Sequence, residues 1–371
     1  MAHISRLRLT DFRNYRTQDV EFSGRPVVLY GANGSGKTNL LEALSLLSPG
    51  RGLRHAKVSH LARRIKDGQV AAWGVNADLV DHESSVRLAV GQVPEYSHRR
   101  TVRIDGRAAT GTELAEYLSL IWLIPAQDRL FKGPASDRRK LLDRFSLAHY
   151  PHHGTLVLEY EKARAQRNRL LADDVRDGGW YDAYETTMAE SGAWIAANRV
   201  DTLNRLVAEI DAGTDSVFPK STLALDGITE ELCQSGLDPD DLASALRDNL
   251  VRSRDLDRRA GRTLSGVHGS DLCVTYADKN MAAADCSTGE QKALLTGLIL
   301  AQARTLSRCS RLILLDEIVA HLDENWRAAL IRELTALSSQ VFMTGTEAYL
   351  FEAFDGCADV YEVSNGNISP R

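Results

Sequence analysis

The run VVLYGANGSGKTNLLEAL, Val27 to Leu44, decides how the chain is read. Val27, Val28 and Leu29 have the pattern of a buried strand, Gly31 to Lys37 that of a tight loop. From Thr38 a helix follows, with apolar residues at Leu40, Leu41, Leu44 and Leu47. The loop fits G-x-x-x-x-G-K-[ST] at every fixed position, in the strand-loop-helix context that the pattern requires. Glycines let backbone N–H groups converge on phosphate oxygens, and the helix start adds its positive dipole end. Gly31, Ala32, Asn33, Gly34, Ser35 and Gly36 therefore form a candidate phosphate cradle. Lys37 supplies a point charge, and the Thr38 hydroxyl can ligate Mg²⁺.

Outward from this loop, 371 residues suggest roughly two to three structural units. A composition of 43% hydrophobic and 26% charged residues, without a low-complexity tract, is that of a soluble globular chain. No apolar run approaches the ~20 residues of a membrane span. The opening MAHISRLRLTDFRNY alternates charged and apolar residues, unlike a signal peptide, so a cytoplasmic location and no membrane partner are expected. Cys233, Cys273, Cys286, Cys309 and Cys357 lie far apart without a C-x-x-C pair, which excludes a disulfide framework or zinc motif and suggests buried sulfur. A net charge of −5 excludes a uniformly basic nucleic-acid binder but leaves room for a local basic face.

Texture changes along the chain. Ile4–Leu9 and Asp19–Phe22 read as strands, and the alternating runs between residues 70 and 104 as antiparallel strands. Residues 112–150 read as helical. From Thr155 to Gly213, apolar residues including Val200, Leu203, Leu206, Val207 and Ile210 recur at helical spacing, with a turn at Asp177-Gly-Gly-Trp180. This predicts an antiparallel hairpin or short coiled coil. A strand, STLALDG, and a helix over Asp238–Ala260 with Pro239 in its first turn follow. The chain thus divides into 1–150, a helical insert at 151–262, and 263–371.

After the insert the chemistry resumes. RLILLDEIVAHLD, Arg311 to Asp323, is an apolar strand ending in Asp316-Glu317, the form of a Walker B segment. Asp316 is the candidate Mg²⁺ residue, and Glu317 the candidate that orients or deprotonates an attacking water. Upstream, Ser287-Thr288-Gly289-Glu290-Gln291 opens an apolar-periodic helix, with Ser287 as N-cap and the Gly289 N–H as an anion donor. This run resembles the signature loop of ATP-binding-cassette ATPases, which reaches the nucleotide of an opposite subunit. Lys37 and Ser287 stand 250 residues apart, which disfavours a transporter-type cassette and favours the SMC/Rad50-like branch. The coil hundreds of residues long that SMC and Rad50 proteins need is absent.

Further stretches resemble the RecF family of recombination mediators over almost the whole length. They are ISRLRLTDFRNYRTQDVEF at the start, with Phe12-Arg13-Asn14-Tyr15; the loop with Asn33, Asn39 and the tail Gly50 to Arg54; KGPASDRRKLLDR at Lys132 to Arg144; and GRTLSGVHGSDL at Gly261 to Leu272. The family's Gly-Pro-His-Arg is interrupted here by Val267-His268-Gly269, so one arginine is missing. The resemblance implies an α/β, ABC-type ATPase head with a mixed sheet and an antiparallel β-subdomain, plus a helical second lobe. It adds Arg13, Asn14, Asn39, Ser287, Gly289, Glu290, Gln291 and Asp323 (the D-loop) to the nucleotide-binding set, and Gln127 as a Q-loop residue near Mg²⁺ and water. Thr344 and Thr346 stand where transporter cassettes have a switch histidine. A threonine can hydrogen-bond phosphate but carries no charge, so slow, DNA-stimulated ATP hydrolysis is expected.

The implied partners are ATP, Mg²⁺, a second copy of the chain, duplex DNA at single-strand gaps, RecR and through it RecO, and functionally RecA. Recombinational repair, replication restart and SOS induction are the implied setting. For DNA contact the sequence offers Arg99-Arg100, Arg138-Arg139-Lys140, and Arg252, Arg254, Arg258, Arg259 and Arg262. A transport ATPase subunit and an SMC-like tethering ATPase are the competing readings.

Overall fold

Strand β1 (His3–Phe12) turns tightly into β2 (Tyr15–Glu21), and β3 (Val27–Tyr30) runs through the glycine loop into helix α1 (Lys37–Ser45). The computed structural model describes residues 2–64, 72–81, 84–92, 100–213, 216–306, 310–337 and 339–371. Arg99 and Cys309, both singled out in the sequence, lie outside them. The chain continues through β4 (Trp73–Val80), β5 (Ser85–Gln92), β6 (Thr101–Ile104), β7 (Arg107–Ala108), α2 (Gly111–Tyr117) and β8 (Leu118–Leu123). Next come α3 (Ala135–His149), α4 (His153–Ala172), α5 (Gly179–Ala212), β9 (Ser221–Asp226), α6 (Ile228–Gln234), α7 (Pro239–Ala260), β10 (Asp271–Tyr276) and β11 (Met281–Ala282). Helix α8 (Thr288–Thr305), β12 (Ser310–Leu315), α9 (Glu324–Ala336), β13 (Gln340–Gly345), β14 (Asp359–Ser364) and β15 (Asn367–Pro370) complete it.

Two compact units result. One comprises Met1–Asp128, Asp215–Phe218 and Leu298–Arg371, the other Arg129–Thr214 and Pro219–Gly297. The second unit is wider than the insert expected at 151–262, because α3 packs on α5 and β10, and β10 pairs with β9.

The first unit holds two six-stranded sheets. One has the order β15-β14-β3-β13-β12-β8, parallel except for the β14–β15 hairpin. Every residue of β8 and β13 is buried, as in a parallel sheet covered on both faces. The other, β2-β1-β4-β5-β6-β7, is antiparallel throughout, and β4 alternates buried and half-buried residues along its length. Leu7, Phe12, Leu40, Leu44, Leu120, Leu314 and Phe342 share one core.

Leu118–Leu123 corrects the helical reading of 112–150. LSLIWL pairs in parallel with β12, Leu120 opposite Leu312 and Leu123 opposite Leu315. A wholly apolar run has no period of its own, and pairing decided between helix and strand. The cysteine expectation also needs correcting. Cys286 is buried, but Cys273 lies on the outer face of β10 and Cys357 in a turn, both exposed.

The second unit is built on the antiparallel hairpin α4–α5. Arg167 near the end of α4 is bonded to Glu185 near the start of α5, and His153 at the start of α4 lies beside Asn198 in the middle of α5. Arg167 is wholly buried and also donates to Asp257, Thr263 Oγ1 and the Leu250 carbonyl. Arg199 clamps Asp143 with two nitrogens and reaches Glu230 and the Val267 carbonyl. Burial opposes the charge on Asp143, yet Arg199 and His153 hold its carboxyl well below the usual range. Helix α7 starts on Asp238, whose carboxylate accepts from the Asp240 and Asp241 N–H groups, and ends on left-handed Gly261.

At the interrupted family segment, His268 Nε2 lies 3.1 Å from the Thr263 carbonyl, which can only accept. Nε2 therefore carries the proton, and in the neutral ring Nδ1 accepts from the Tyr160 hydroxyl at 2.7 Å. Burial, reinforced by Arg164, pushes its pKa down from 6.5 to about 4. Below pH 6.5 the unfolded chain binds a proton that the folded chain refuses, so this histidine removes stability as pH falls toward 4. The full loss is about 3 kcal/mol. We expect His268→Gln to lower the pH sensitivity of the denaturant midpoint between pH 7 and 4.5. Parallel profiles for the two proteins would refute it.

Candidate functional site

The loop after β3 is held in shape from beneath. Gly36 has φ 122°, and a Cβ there would sit 2.5 Å from the Asn14 amide nitrogen and 2.9 Å from the Tyr15 hydroxyl. Tyr15 donates to the Gly36 carbonyl and Asn14 to the Ser35 carbonyl, so the β1–β2 turn carries the loop. Gly31, at φ 149°, passes 2.2 Å from the Val363 carbonyl by the same measure. Side chains at either position would push the loop off its support.

Lys37 is 3% exposed and its ammonium donates to the carbonyls of Gly31 at 2.7 Å and Ala32 at 3.0 Å. Burial pushes its pKa below the usual lysine value, against the pull of Glu317 and Asp316. The first N–H groups of α1 have no intrahelical acceptor. Ser35 Oγ is buried and has no hydrogen-bond partner among the described residues. An open glycine cradle, a buried ammonium and an unused hydroxyl fit a polyphosphate.

Arg13 and Asn14 lie beside this loop but already have partners. Arg13, at φ 55°, forms a two-nitrogen clamp on the fully buried Glu42 of α1 and donates to the His60 carbonyl. Arg54 adds a second contact to Glu42 at 3.6 Å and donates to Asn39, which in turn donates to Asn14.

Strand β12 delivers Asp316 and Glu317. Thr38 Oγ1 donates to Asp316 Oδ1 at 2.9 Å across 278 residues, and Thr344 Oγ1 donates to the same oxygen at 2.8 Å. The Glu317 N–H donates to Thr344 Oγ1 at 2.9 Å, and Glu317 has φ 55°, an uncommon backbone for a side-chain-bearing residue. Both hydroxyls use Oδ1, which leaves Oδ2 for a cation or its water. A hydroxyl and a carboxylate are the hard-oxygen donors that Mg²⁺ prefers, and it takes few of them from protein when phosphates supply the rest. The expectation that Thr344 faces phosphate is corrected: it is fully buried and occupied by Asp316 and Glu317. Thr344's partners and the support from Tyr15 had no signal in residue spacing, since each reads as an ordinary core residue.

Gln127 is half-buried, and its Oε1 accepts from the Ile124 N–H at 3.2 Å, closing the short turn after β8. Asp323 caps α9 by accepting from the Trp326 N–H. In the second unit Ser287 Oγ accepts from the Glu290 N–H, and Glu290 accepts from the Ser287 N–H, a reciprocal cap on α8. Glu290 is also bonded to Lys279, which with the Ser287 N–H brings its pKa down to about 2. Gln291 donates to the Cys286 carbonyl and faces inward. Ser287, Thr288 and Gly289 are exposed, and nothing lies within 4 Å of where a Gly289 Cβ would be.

Several cations read as DNA contacts have internal tasks. Arg100 is half-buried, desolvation lowers its pKa to about 10, and it donates to the Leu46 and Ser48 carbonyls after α1. Arg138 clamps Asp271 and donates to the Gly133 carbonyl, and Arg254 clamps Glu185. Lys140, Arg252, Arg259 and Arg262 are exposed. Among the described residues no helix is long and apolar enough to cross a membrane.

Comparison with known proteins identifies the family. The family model of the RecF/RecN/SMC N terminal domain matches residues 3–369. The chain is 47% identical over 375 residues to the DNA replication and repair protein RecF of Mesorhizobium japonicum, covering 100% of this chain and 98% of the relative. Its identity to the Caulobacter vibrioides protein of the same name is 44% over 368 residues, covering 96% and 95%. Among solved structures, the recombination mediator protein RecF-ATPrS in the RecFOR pathway superposes with a TM-score of 0.83 at 21% identity, covering 100% and 98%. An Smc head domain from Pyrococcus furiosus does so with 0.53 at 18%, covering 100% and 96%. The fold is that of an ABC-type, SMC-like ATPase head with a helical lobe.

Proposed function

The chain belongs to the RecF family, and from that membership and the geometry around the loop we propose that it is a DNA-repair ATPase whose Mg²⁺ and ATP binding switches it between a monomer and a DNA-holding dimer. The observation that carries this reading is the meeting of Thr38 and Asp316 at 2.9 Å beside the buried Lys37. Two motifs 278 residues apart share one site.

Thr38 and Asp316 would hold Mg²⁺, which supplies charge neutralisation at the phosphates. Loop N–H groups and Lys37 bind and orient the polyphosphate, and Glu317 accepts a proton from water. Gln127 follows β8 and Asp323 caps α9, and each can exchange its present hydrogen bond for a water or a partner group. Arg13, Asn14 and Asn39 support the loop, and Arg13 and Asn14 reach nucleotide only by leaving their present partners.

Ser287 and Gly289 form an exposed, capped helix start, suited to meeting the phosphates of a second copy, with Glu290 and Gln291 holding its shape. No histidine follows β13, so hydrolysis is slow and serves as a timer. The exposed Arg252, Arg259 and Arg262, with Lys140, supply phosphate contacts without sequence preference, and DNA affinity falls steeply with salt. Duplex DNA beside single-strand gaps is the substrate surface. RecR, RecO through it, and RecA loading are the downstream partners, in the cytoplasm.

Sedimentation velocity with ATP and Mg²⁺, with and without a gapped duplex, tests this. A nucleotide-dependent dimer that binds the duplex more tightly than the monomer is expected. A monomer with unchanged DNA affinity in all conditions would overturn the switch.

A further inference from the structure

Thr344 stands one residue past Met343, which lies opposite Leu315 in the parallel β12–β13 ladder, so the register sets it beside the strand end that carries Asp316 and Glu317. It also pairs with Leu29 of β3, the strand that feeds the glycine loop. Its side chain is 0% exposed. A β-branched residue has restricted χ1 freedom, and the two hydrogen bonds select the rotamer that aims the hydroxyl at the strand end. That hydroxyl donates to Asp316 Oδ1 and accepts from the Glu317 N–H. One oxygen thereby ties the cation-binding carboxylate to the backbone of the water-activating residue.

We propose that Thr344 is a positioning residue that couples cation binding at Asp316 to the placement of Glu317. Resting on the reading of this centre as a Mg²⁺–ATP site, the proposal assigns Thr344 a role separate from fold maintenance. Without the hydroxyl, Asp316 keeps only the Thr38 contact and can rotate. The Glu317 N–H loses its acceptor at a residue whose left-handed φ of 55° already costs energy. The glycine loop and Lys37 make no hydrogen bond to Thr344, so nucleotide binding without the cation is untouched.

The test compares wild type with Thr344→Val, Thr344→Ser and Thr344→Ala. Serine and alanine both lack the methyl and differ only in the hydroxyl, which keeps the comparison valid should valine not fold. Fluorescent ATP binding is titrated in EDTA and against Mg²⁺, and hydrolysis is measured at saturating Mg²⁺. For valine and alanine the expected results are an EDTA affinity within about twofold of wild type, a Mg²⁺ midpoint raised about tenfold, and kcat lowered about 30-fold with KM nearly unchanged. Serine restores both quantities to within about threefold. Alanine and serine behaving alike would overturn the role of the hydroxyl. Wild type without Mg²⁺-dependent nucleotide binding would overturn the reading of the site, and the role of Thr344 with it.

Discussion

Lys37→Met is expected to lower ATP affinity by about 100-fold or more while leaving the fold intact. Methionine nearly matches the lysine stem in length but carries no charge, so the change removes charge-assisted hydrogen bonds worth about 2–3 kcal/mol. The unusual part of the expectation concerns stability. The Lys37 ammonium is buried, and burial pulls its pKa down, so the folded protein without nucleotide carries a charge that its surroundings disfavour. Removing that charge should leave the thermal midpoint unchanged or slightly raised, since the carbonyls of Gly31 and Ala32 lie on a loop that water can reach. Calorimetric titration with ATP and a thermal melt on the same sample read both quantities. Loss of binding with a steep drop in melting temperature would mean that Lys37 holds the loop together instead of binding phosphate.

Ser287→Arg is expected to keep ATP binding and abolish ATP-dependent dimerisation. Ser287, Thr288 and Gly289 are exposed, and the hydrogen bonds of Ser287 go to Glu290 within the cap of α8. Arginine removes the Ser287 cap, which costs about 1 kcal/mol locally, and places a long cation where a second copy would have to approach. Ser287→Thr retains a capping hydroxyl and serves as the control. The readouts are a fluorescent-nucleotide titration and sedimentation with ATP and Mg²⁺. A Ser287→Arg protein that still dimerises would remove the signature loop from the interface and leave an ATPase that acts as a monomer. Loss of nucleotide binding would instead place Ser287 in its own chain's site.

These two residues also differ in what made them legible. Lys37 belongs to a pattern of eight residues between an apolar strand and an apolar-periodic helix, and each part is specified by its neighbours in sequence. The Ser287 run reads locally only as a capped helix start and drew its further meaning from its order, after the glycine loop and before the Asp316-Glu317 strand end, while the α4–α5 hairpin was legible from its long helical period. LSLIWL was misread because a run apolar at every position has no period, and its pairing with β12 lies almost 200 positions further along the chain. Charges were the least legible. Arg138 and Arg254 look in sequence like members of basic clusters, yet Asp271 and Glu185 take them up from distant segments.

By itself the sequence determined the phosphate loop, the Asp316-Glu317 strand end, the capped start of α8 and the family to which the chain belongs, because each rests on contiguous residues whose backbone preferences and burial pattern are local. Only the tertiary structure decided which hydroxyls meet Asp316, which cations remain exposed, and that Arg13 is held by Glu42. Those outcomes depend on the parallel register of β3, β13 and β12 and on long-range ion pairs. Register aligns residues hundreds of positions apart, and a buried charge takes whichever opposite charge the packed chain brings within reach.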